Sequence, residues 1–171
     1  MRVMGIDPGS ACTGYGIVEE VDRQVRAVSW GSIRCSPKQT FPERLKRIHD
    51  ELVRVINEFS PDSVAVEDLF FAANAKSALK LGQTRGVTLL AAMAAEKPIA
   101  EYSPLEVKQS VVGYGRAEKE QVRTMVTALL KLKEPPEPLD AADALAIAIC
   151  HIHAAKTKAR LKTGGQKPPK S

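Results

Sequence analysis

Four carboxylates stand at the ends of segments that the sequence marks as buried. Asp7 and Glu67 each close a short apolar run, and Asp140 and Asp143 open an apolar segment with helical spacing. An uncompensated buried carboxylate is unfavourable, and several that converge repel one another at neutral pH. A divalent cation held by oxygen ligands compensates both effects. The four acids therefore predict a metal site for phosphoryl chemistry, with two cations holding a phosphodiester.

Asp140 and Asp143 admit a second interpretation. They are three residues apart and share one face of a helix, and both lie in its first turn, where the helix dipole favours negative charge. Helix capping would explain this pair alone. Two separate strands that each end in a carboxylate, at Asp7 and Glu67, favour the metal site.

The hydrophobic patterns predict the order βββ-α-β-α-β-α-α-α, which is an α/β fold with a mixed five-stranded sheet flanked by helices. In this arrangement Asp7 and Glu67 end neighbouring central strands, and the last helix directs its N-terminus at them. The predicted strands cover residues 1–7, 13–18, 25–33, 63–67 and 99–102, and the helices cover 42–59, 74–95, 104–112, 117–131 and 139–155.

Composition predicts a single domain that does not enter membranes. The chain has 171 residues, of which 44% are hydrophobic and 26% charged, and no run approaches the roughly 18 apolar residues of a membrane span. Three cysteines without C-x-x-C spacing indicate free thiols in the cytoplasm. A zinc site in the segment 150–153 is disfavoured, because helical positions two apart do not face each other.

The basic charge is concentrated near the C-terminus. The net charge is +5, and residues 156–171 hold six of the basic residues and no acidic one. We therefore expect a folded domain over residues 1–155 and a basic, disordered tail over 156–171. Such a tail suits contact with nucleic acid, although a merely solvated tail would have the same composition.

Two adjacent aromatic residues follow Glu67. Phe70 and Phe71 cannot both face a core if their segment is extended, so one is expected to stack on a base or on a partner subunit. Ordinary core packing of both is the alternative. Next to them, residues 74–95 form a helix without acidic residues, in which Lys76 and Lys80 share a face.

The same helix has small residues at every fourth position, namely Ala78, Gly82 and Gly86. They allow close approach of another helix, either within the chain or across a dimer seam. Further along, Lys119 stands between Glu118 and Glu120. That stretch is either a generic surface or the place from which a lysine reaches a scissile phosphate.

The glycine-rich turn after Asp7 permits a different function. It is similar to the phosphate loop of the actin, Hsp70 and sugar-kinase ATPases. Those enzymes close two such lobes around a nucleotide, whereas this chain has the length and the motif for one. The ATPase interpretation is therefore disfavoured.

In the order of its motifs, the sequence resembles the RuvC-type Holliday junction resolvases over residues 1–155. The motifs are G-I-D-P-G-S-x-x-T-G-Y-G at 5–16, Glu67 followed by Phe70, N-A-x-S-A-L-K-L-G-Q-x-R-G at 74–86, V-K-Q-x-V-V-G at 107–113, A-E-K at 117–119 and D-A-A-D-A-L-A-I-A at 140–148. The resemblance implies a ribonuclease H-like fold and a homodimer that makes symmetric nicks at a four-way DNA junction. It also implies a role in recombination and repair, with RuvA and RuvB as partners.

The resemblance assigns roles to single residues. It implies two Mg²⁺ ions per active site, replaceable by Mn²⁺, on four catalytic acids: Asp7, Glu67, Asp140 and Asp143. It implies base unstacking by Phe70, and it links Lys108 and Lys119 to DNA binding and cleavage, with Lys119 counted as catalytic. Lys76 and Lys80, which share a face of the acid-free helix, are also expected to contact DNA. Asp68 is a departure, because the family more often has an amide there. Strand alternation directs Asp68 away from Glu67, so little consequence is expected.

A scaffold that binds junctions without cutting them is the remaining alternative, and the presence of all four acids disfavours it.

Overall fold

The computed structural model describes residues 1–68 and 74–164, with side chains described as far as residue 161. Phe70 therefore lies outside the described residues. The described part contains five strands and five helices: β1 Arg2–Asp7, β2 Cys12–Val21, β3 Gln24–Arg34, α1 Phe41–Phe59, β4 Ser63–Glu67, α2 Ala75–Ala94, β5 Ile99–Tyr102, α3 Pro104–Val112, α4 Lys119–Leu129 and α5 Leu139–Gly164.

The strands form one mixed sheet in the order β3-β2-β1-β4-β5. The first three strands are an antiparallel meander, and β1, β4 and β5 run parallel to one another. Ile6 pairs with Val66 across β1 and β4. The next residue on each strand is Asp7 or Glu67, so the prediction that these acids end neighbouring central strands is confirmed.

Alternate residues of the strands lie on opposite faces of the sheet and pack into two apolar cores. On one face Met4, Ile17 and Val64 pack with α1 and α2, and on the other face Val3 and Ala65 pack with α3, α4 and α5. Helix α5 crosses the second face and is buried along its first half. Its first turn therefore meets the strand ends that carry the two acids.

Two glycines set how closely α5 approaches the sheet. A Cβ atom on Gly5 would lie 2.0 Å from the carbonyl oxygen of Ala144, and one on Gly14 would lie 2.0 Å from that of Asp140. A larger residue at either position would push the helix outward. The glycines of the first motif thus bring Asp140 and Asp143 close to the end of β1.

Local sequence signals explain where helix α3 begins. Ser103 and Glu106 form a reciprocal capping box with Pro104 in the first turn of α3, which confirms the predicted helix start.

The predicted end of the last helix is wrong, because α5 continues to Gly164. Lys156, assigned to the tail, forms an ion pair with Glu20 at 2.8 Å. Division of the chain into a domain over 1–155 and a tail over 156–171 stays a prediction.

Among the described residues, no helix combines the length and apolar character needed to cross a membrane.

Candidate active site

A cavity of about 300 Å³ opens at the C-terminal ends of β1 and β4, under α3, α4 and the first turns of α5. Its charged lining consists of Asp7, Glu67, Lys108, Lys119 and Asp143, and its apolar walls come from α3, α4 and α5. Side chains from five different elements therefore meet in one pocket. Of the four predicted acids, three line it.

The two strand-end acids are electrostatically strained. Burial, followed by the charges of Glu67 and Asp143, raises the pKa of Asp7 to about 7. Burial and the charge of Asp143 raise the pKa of Glu67 to about 7 as well. Part of this carboxylate charge is thus neutralised by protons near pH 7 when no cation is bound. A divalent cation would relieve both the burial and the mutual repulsion.

Lys119 partly offsets this negative charge. Its ammonium donates a hydrogen bond to the carboxylate of Asp143, with 2.8 Å from Nζ to Oδ2, and this bond raises the pKa of Lys119. The Asp143 side chain is 17% exposed and that of Lys119 is 63% exposed. The lysine therefore reaches in from solvent at the mouth of the cavity.

Asp140 lies at the edge of this group. It is in the first turn of α5, and its charge contributes to the raised pKa of Asp7. Burial and a hydrogen bond with Asp140 raise the pKa of the Cys12 thiol. Asp140 is near enough to act electrostatically on Asp7, although it does not line the cavity.

The chemistry of these side chains fits Mg²⁺, which prefers carboxylate oxygens. Among the residues that the structure describes, no three Asp, Glu, His or Cys side chains are already grouped closely enough to hold a metal ion. Asp143 is instead paired with Lys119. The assignment of the four acids as metal ligands therefore stays a prediction, supported by their convergence and by the raised pKa of two of them.

The other predicted DNA-binding residues divide into two groups. Lys108 lines the cavity, and its charge acts to lower the pKa of Glu67. Lys76 and Lys80 are exposed on α2 and do not line the cavity. The Lys80 ammonium lies 5.7 Å from the ring centre of Phe41 on α1, which is a cation–π distance.

Two polar networks beside the site were not predicted from the sequence. Asp68 forms an ion pair with Arg85 of α2, which also contacts Glu101 of β5, so Asp68 has a structural partner that strand alternation did not predict. His151 of α5 bonds to Tyr102 of β5 and to a residue of β4. In both networks the partners are far apart in sequence, and periodicity carries no signal for such pairs.

Residues 3–151 match the protein family described as crossover junction endodeoxyribonuclease RuvC. This chain belongs to the RuvC family. Relatives named crossover junction endodeoxyribonuclease RuvC support the match. The protein of Syntrophomonas wolfei is 47% identical over 98% of this chain and 97% of its own length, and that of Pelobacter propionicus is 56% identical over 90% and 86%.

Solved RuvC structures confirm the predicted ribonuclease H-like fold. Thermus thermophilus RuvC is 40% identical, with a TM-score of 0.83 over 92% of this chain and 97% of that one. The same protein in complex with a Holliday junction substrate gives a TM-score of 0.87 over 92% and 96%. Membership of the RuvC family over residues 3–151 favours the junction-nuclease interpretation over the ATPase-lobe alternative.

Proposed function

We propose that this RuvC protein resolves four-way DNA junctions by paired, symmetric, magnesium-dependent nicks, in recombination and repair. The observation that carries the proposal is the convergence of Asp7, Glu67 and Asp143 with Lys119 in one cavity, in a chain that belongs to a family of crossover junction endonucleases. A Thermus thermophilus relative that is 40% identical is known in complex with a Holliday junction substrate. DNA with four arms is therefore the substrate class.

The acids would hold two Mg²⁺ ions per active site, with Mn²⁺ as a substitute. Asp7 is the best candidate for a shared ligand, because both Glu67 and Asp143 act on its pKa from their own elements. Mg²⁺ held by these acids would lower the pKa of a bound water and stabilise the charge on the leaving oxygen. No covalent intermediate is needed, and the products carry 5′-phosphate ends.

The lysines would neutralise the scissile phosphate. Lys108 and Lys119 line the cavity from α3 and from the start of α4. Lys119 is mostly exposed and donates a hydrogen bond to Asp143, and its charge also acts to lower the pKa of Asp7 and of Glu67. A phosphate that enters the cavity can therefore be contacted by Lys119 without rearrangement of the sheet.

A dimer would supply two such sites for paired nicks. Helix α2 buries Thr84, Thr88, Ala91 and Ala92, whereas another of its faces is open. That face carries the side chains of Leu79, Leu90 and Met93, which are 69%, 58% and 60% exposed. Gly82 and Gly86 lie between them, and within the described residues a Cβ atom at either would contact nothing. We propose that this stripe, Leu79–Gly82–Gly86–Leu90–Met93, is the dimer seam.

The partners, the location and the roles of the remaining residues are proposed from membership of the RuvC family. RuvA and RuvB would be the partners that move the junction, and the cytoplasm would be the location. Phe70 would unstack a base at the crossover, and the basic residues after position 155 would add contacts without sequence readout. Lys76 and Lys80 would contact DNA outside the cavity, from the exposed part of α2.

A paired-substrate assay tests the proposal. A synthetic mobile four-way junction and linear duplexes of the same sequence are incubated with the protein in Mg²⁺, and in EDTA as a control. We expect nicks at symmetric positions on two opposing strands of the junction, products that DNA ligase can reseal, and no cleavage in EDTA. Equal cleavage of duplex would refute junction selectivity. Tight binding without cleavage would support the scaffold alternative instead.

A further inference from the structure

Helix α5 carries Asp140 and Asp143, and its position relative to β4 determines how far these acids lie from Glu67. Most contacts that hold α5 are apolar. On the side of β1 and β2 they include Val3 and Val18, together with close approach of the helix backbone to Gly5 and Gly14. Apolar contacts are non-directional, and apolar cores tolerate repacking. Apolar contacts therefore fix the distance of the helix from the sheet more strictly than they fix its position along the strands.

Two directional hydrogen bonds from a single side chain of α5, His151, restrict that translation along β4 and β5. Both ring nitrogens of His151 are engaged, Nε2 with the Ser63 hydroxyl at 3.0 Å and Nδ1 with the Tyr102 hydroxyl at 2.9 Å. The rings of Tyr102 and His151 also meet edge to face, with centroids 5.8 Å apart. Burial lowers the pKa of His151, so the neutral ring, with one donor and one acceptor nitrogen, is the form that bridges the two hydroxyls.

The partners of His151 stand on the two strands next to the cavity. Ser63 is buried and begins β4, the strand that Glu67 ends. Tyr102 ends β5 and is the register partner of Glu67. The backbone N–H of Asp68 also donates to the Tyr102 carbonyl at 2.8 Å. His151 therefore ties α5 to β4, the strand that Glu67 ends, and to the neighbouring strand β5.

The spacing along the two elements is matched. His151 lies eight residues after Asp143 on α5, which is roughly 12 Å along a helix. Glu67 lies four residues after Ser63 on β4, which is roughly 13 Å along a strand. A hydrogen bond between His151 and Ser63 at one end thus sets Asp143 level with Glu67 at the other.

We propose that His151 is a positioning residue of the active site. Its bonds to Ser63 and Tyr102 hold α5 at one translation along β4 and β5, and this places Asp143 and Asp140 opposite Glu67 for cation binding. The proposal rests on the proposed function of the acids. It assigns to His151 no contact with substrate or metal.

The test replaces the network by apolar groups of similar shape, in a variant that combines Ser63→Ala, Tyr102→Phe and His151→Leu. Removal of all polar partners together is expected to leave stability almost unchanged, so that a loss of activity reports on position. The matched control combines Ser110→Ala and His153→Leu. His153 bonds to Ser110 at 3.1 Å and joins α5 to α3, which carries none of the four acids.

Three quantities are measured in the full-length protein: thermal stability, Mn²⁺ affinity without DNA by calorimetry, and kcat and KM on a four-way junction. For the triple variant we expect a Tm close to that of the parent, weaker Mn²⁺ binding, and a kcat reduced about tenfold or more at little changed KM, because misplacement by about 1 Å is enough for such losses. The His153 control is expected to keep its Mn²⁺ affinity and kcat.

A triple variant with the parent's Mn²⁺ affinity and kcat would overturn the positioning role. If the triple variant does not fold, the single variants Tyr102→Phe and Ser63→Ala test the positioning role of His151 instead. Each should lower kcat at constant KM, and an unchanged kcat in both would overturn the proposal. A parent that neither binds Mn²⁺ nor cuts junctions would instead refute the proposed function, so the two failures are distinguishable.

Discussion

The ammonium of Lys119 donates a hydrogen bond to the carboxylate of Asp143 inside the cavity that Asp7 and Glu67 also line. A lysine therefore supplies positive charge at the position where a cation would need the oxygen atoms of Asp143. We propose that Lys119 and a divalent cation would compete for this carboxylate, and that cation binding would free Lys119 to contact a DNA phosphate.

Replacement of Lys119 by methionine tests this competition. Lys119→Met keeps the length of the side chain and removes its charge, so Asp143 is left unpaired. We expect Mn²⁺ affinity in the absence of DNA to increase by roughly 3- to 10-fold, because one ion pair of about 1 kcal/mol no longer opposes binding. Cleavage is expected to fall about 10²-fold or more, since a charge that stabilises the transition state is lost.

Lys108→Met is the matched control for that prediction. Lys108 lines the same cavity, yet among the described residues the only acid paired with a cavity lysine is Asp143, and its partner is Lys119. Calorimetry with Mn²⁺ should therefore show a smaller gain for Lys108→Met. If both variants gain equally, general electrostatics rather than competition for Asp143 explains the effect.

The raised pKa of Asp7 predicts a pH-dependent stability of the metal-free protein. The folded-state pKa is about 7 against an ordinary value of 3.8. The protonated acid is favoured by folding, so this stabilisation is complete below about pH 4 and is lost as pH rises to about 7. Asp7→Asn cannot ionise and should be more stable than the parent at pH 8 in EDTA, by up to about 4 kcal/mol.

Urea denaturation at pH 4, 6 and 8 measures this difference. The stability advantage of Asp7→Asn should shrink toward pH 4, and Mg²⁺ at pH 8 should narrow it by stabilising the parent. Asp50→Asn is the control, because a hydrogen bond from Lys46 lowers the pKa of that exposed acid. Its variant should show no gain at pH 8. A parent as stable as Asp7→Asn at pH 8 would show that the acids are not strained.

The proposed dimer seam predicts that a charge on the open face of α2 separates the subunits. Leu90→Glu should convert the protein to a monomer in sedimentation velocity without a large change in Tm, because Leu90 is 58% exposed within one chain. Leu105→Glu is the control, since Leu105 is 54% exposed on α3 and should leave the dimer intact. A Leu90→Glu protein that stays dimeric would place the seam elsewhere.

Part of the site follows from sequence, because parallel strands align their ends. The apolar runs that Asp7 and Glu67 close are sufficient to predict two neighbouring carboxylates, and that prediction is confirmed. The pairing of Lys119 with Asp143 could not be predicted, because these residues are 24 positions apart and nothing in their local patterns links them.

The predicted end of α5 is wrong for a different reason. The basic residues after position 155 are typical of a tail, but this segment contains no glycine or proline before Gly164. Glycine is the usual stop signal of a helix, and here the first glycine indicates the end of α5 better than the basic residues do. Charge composition alone does not terminate a helix whose backbone hydrogen bonds can continue.

Phe70 follows Glu67 by three residues, and the stacking hypothesis makes a separate prediction. Phe70→Ala should lower cleavage by about 5- to 150-fold, the equivalent of roughly 1–3 kcal/mol of base stacking, with little change in Tm. A junction with unpaired bases at its centre should recover part of the loss. A core role would instead reduce stability by about 3–5 kcal/mol, which a melting curve would reveal.

The central claim is that the strand-end acids catalyse junction cleavage, and Asp7→Asn tests it most directly. A synthetic four-way junction is titrated with the parent and the variant, binding is followed by gel shift in Ca²⁺, and cleavage is followed in Mg²⁺. We predict that the variant binds the junction at least as tightly as the parent, because negative charge near the DNA is removed, and that its cleavage falls by about 10²- to 10³-fold or more. Cleavage by Asp7→Asn within about tenfold of the parent would contradict the account.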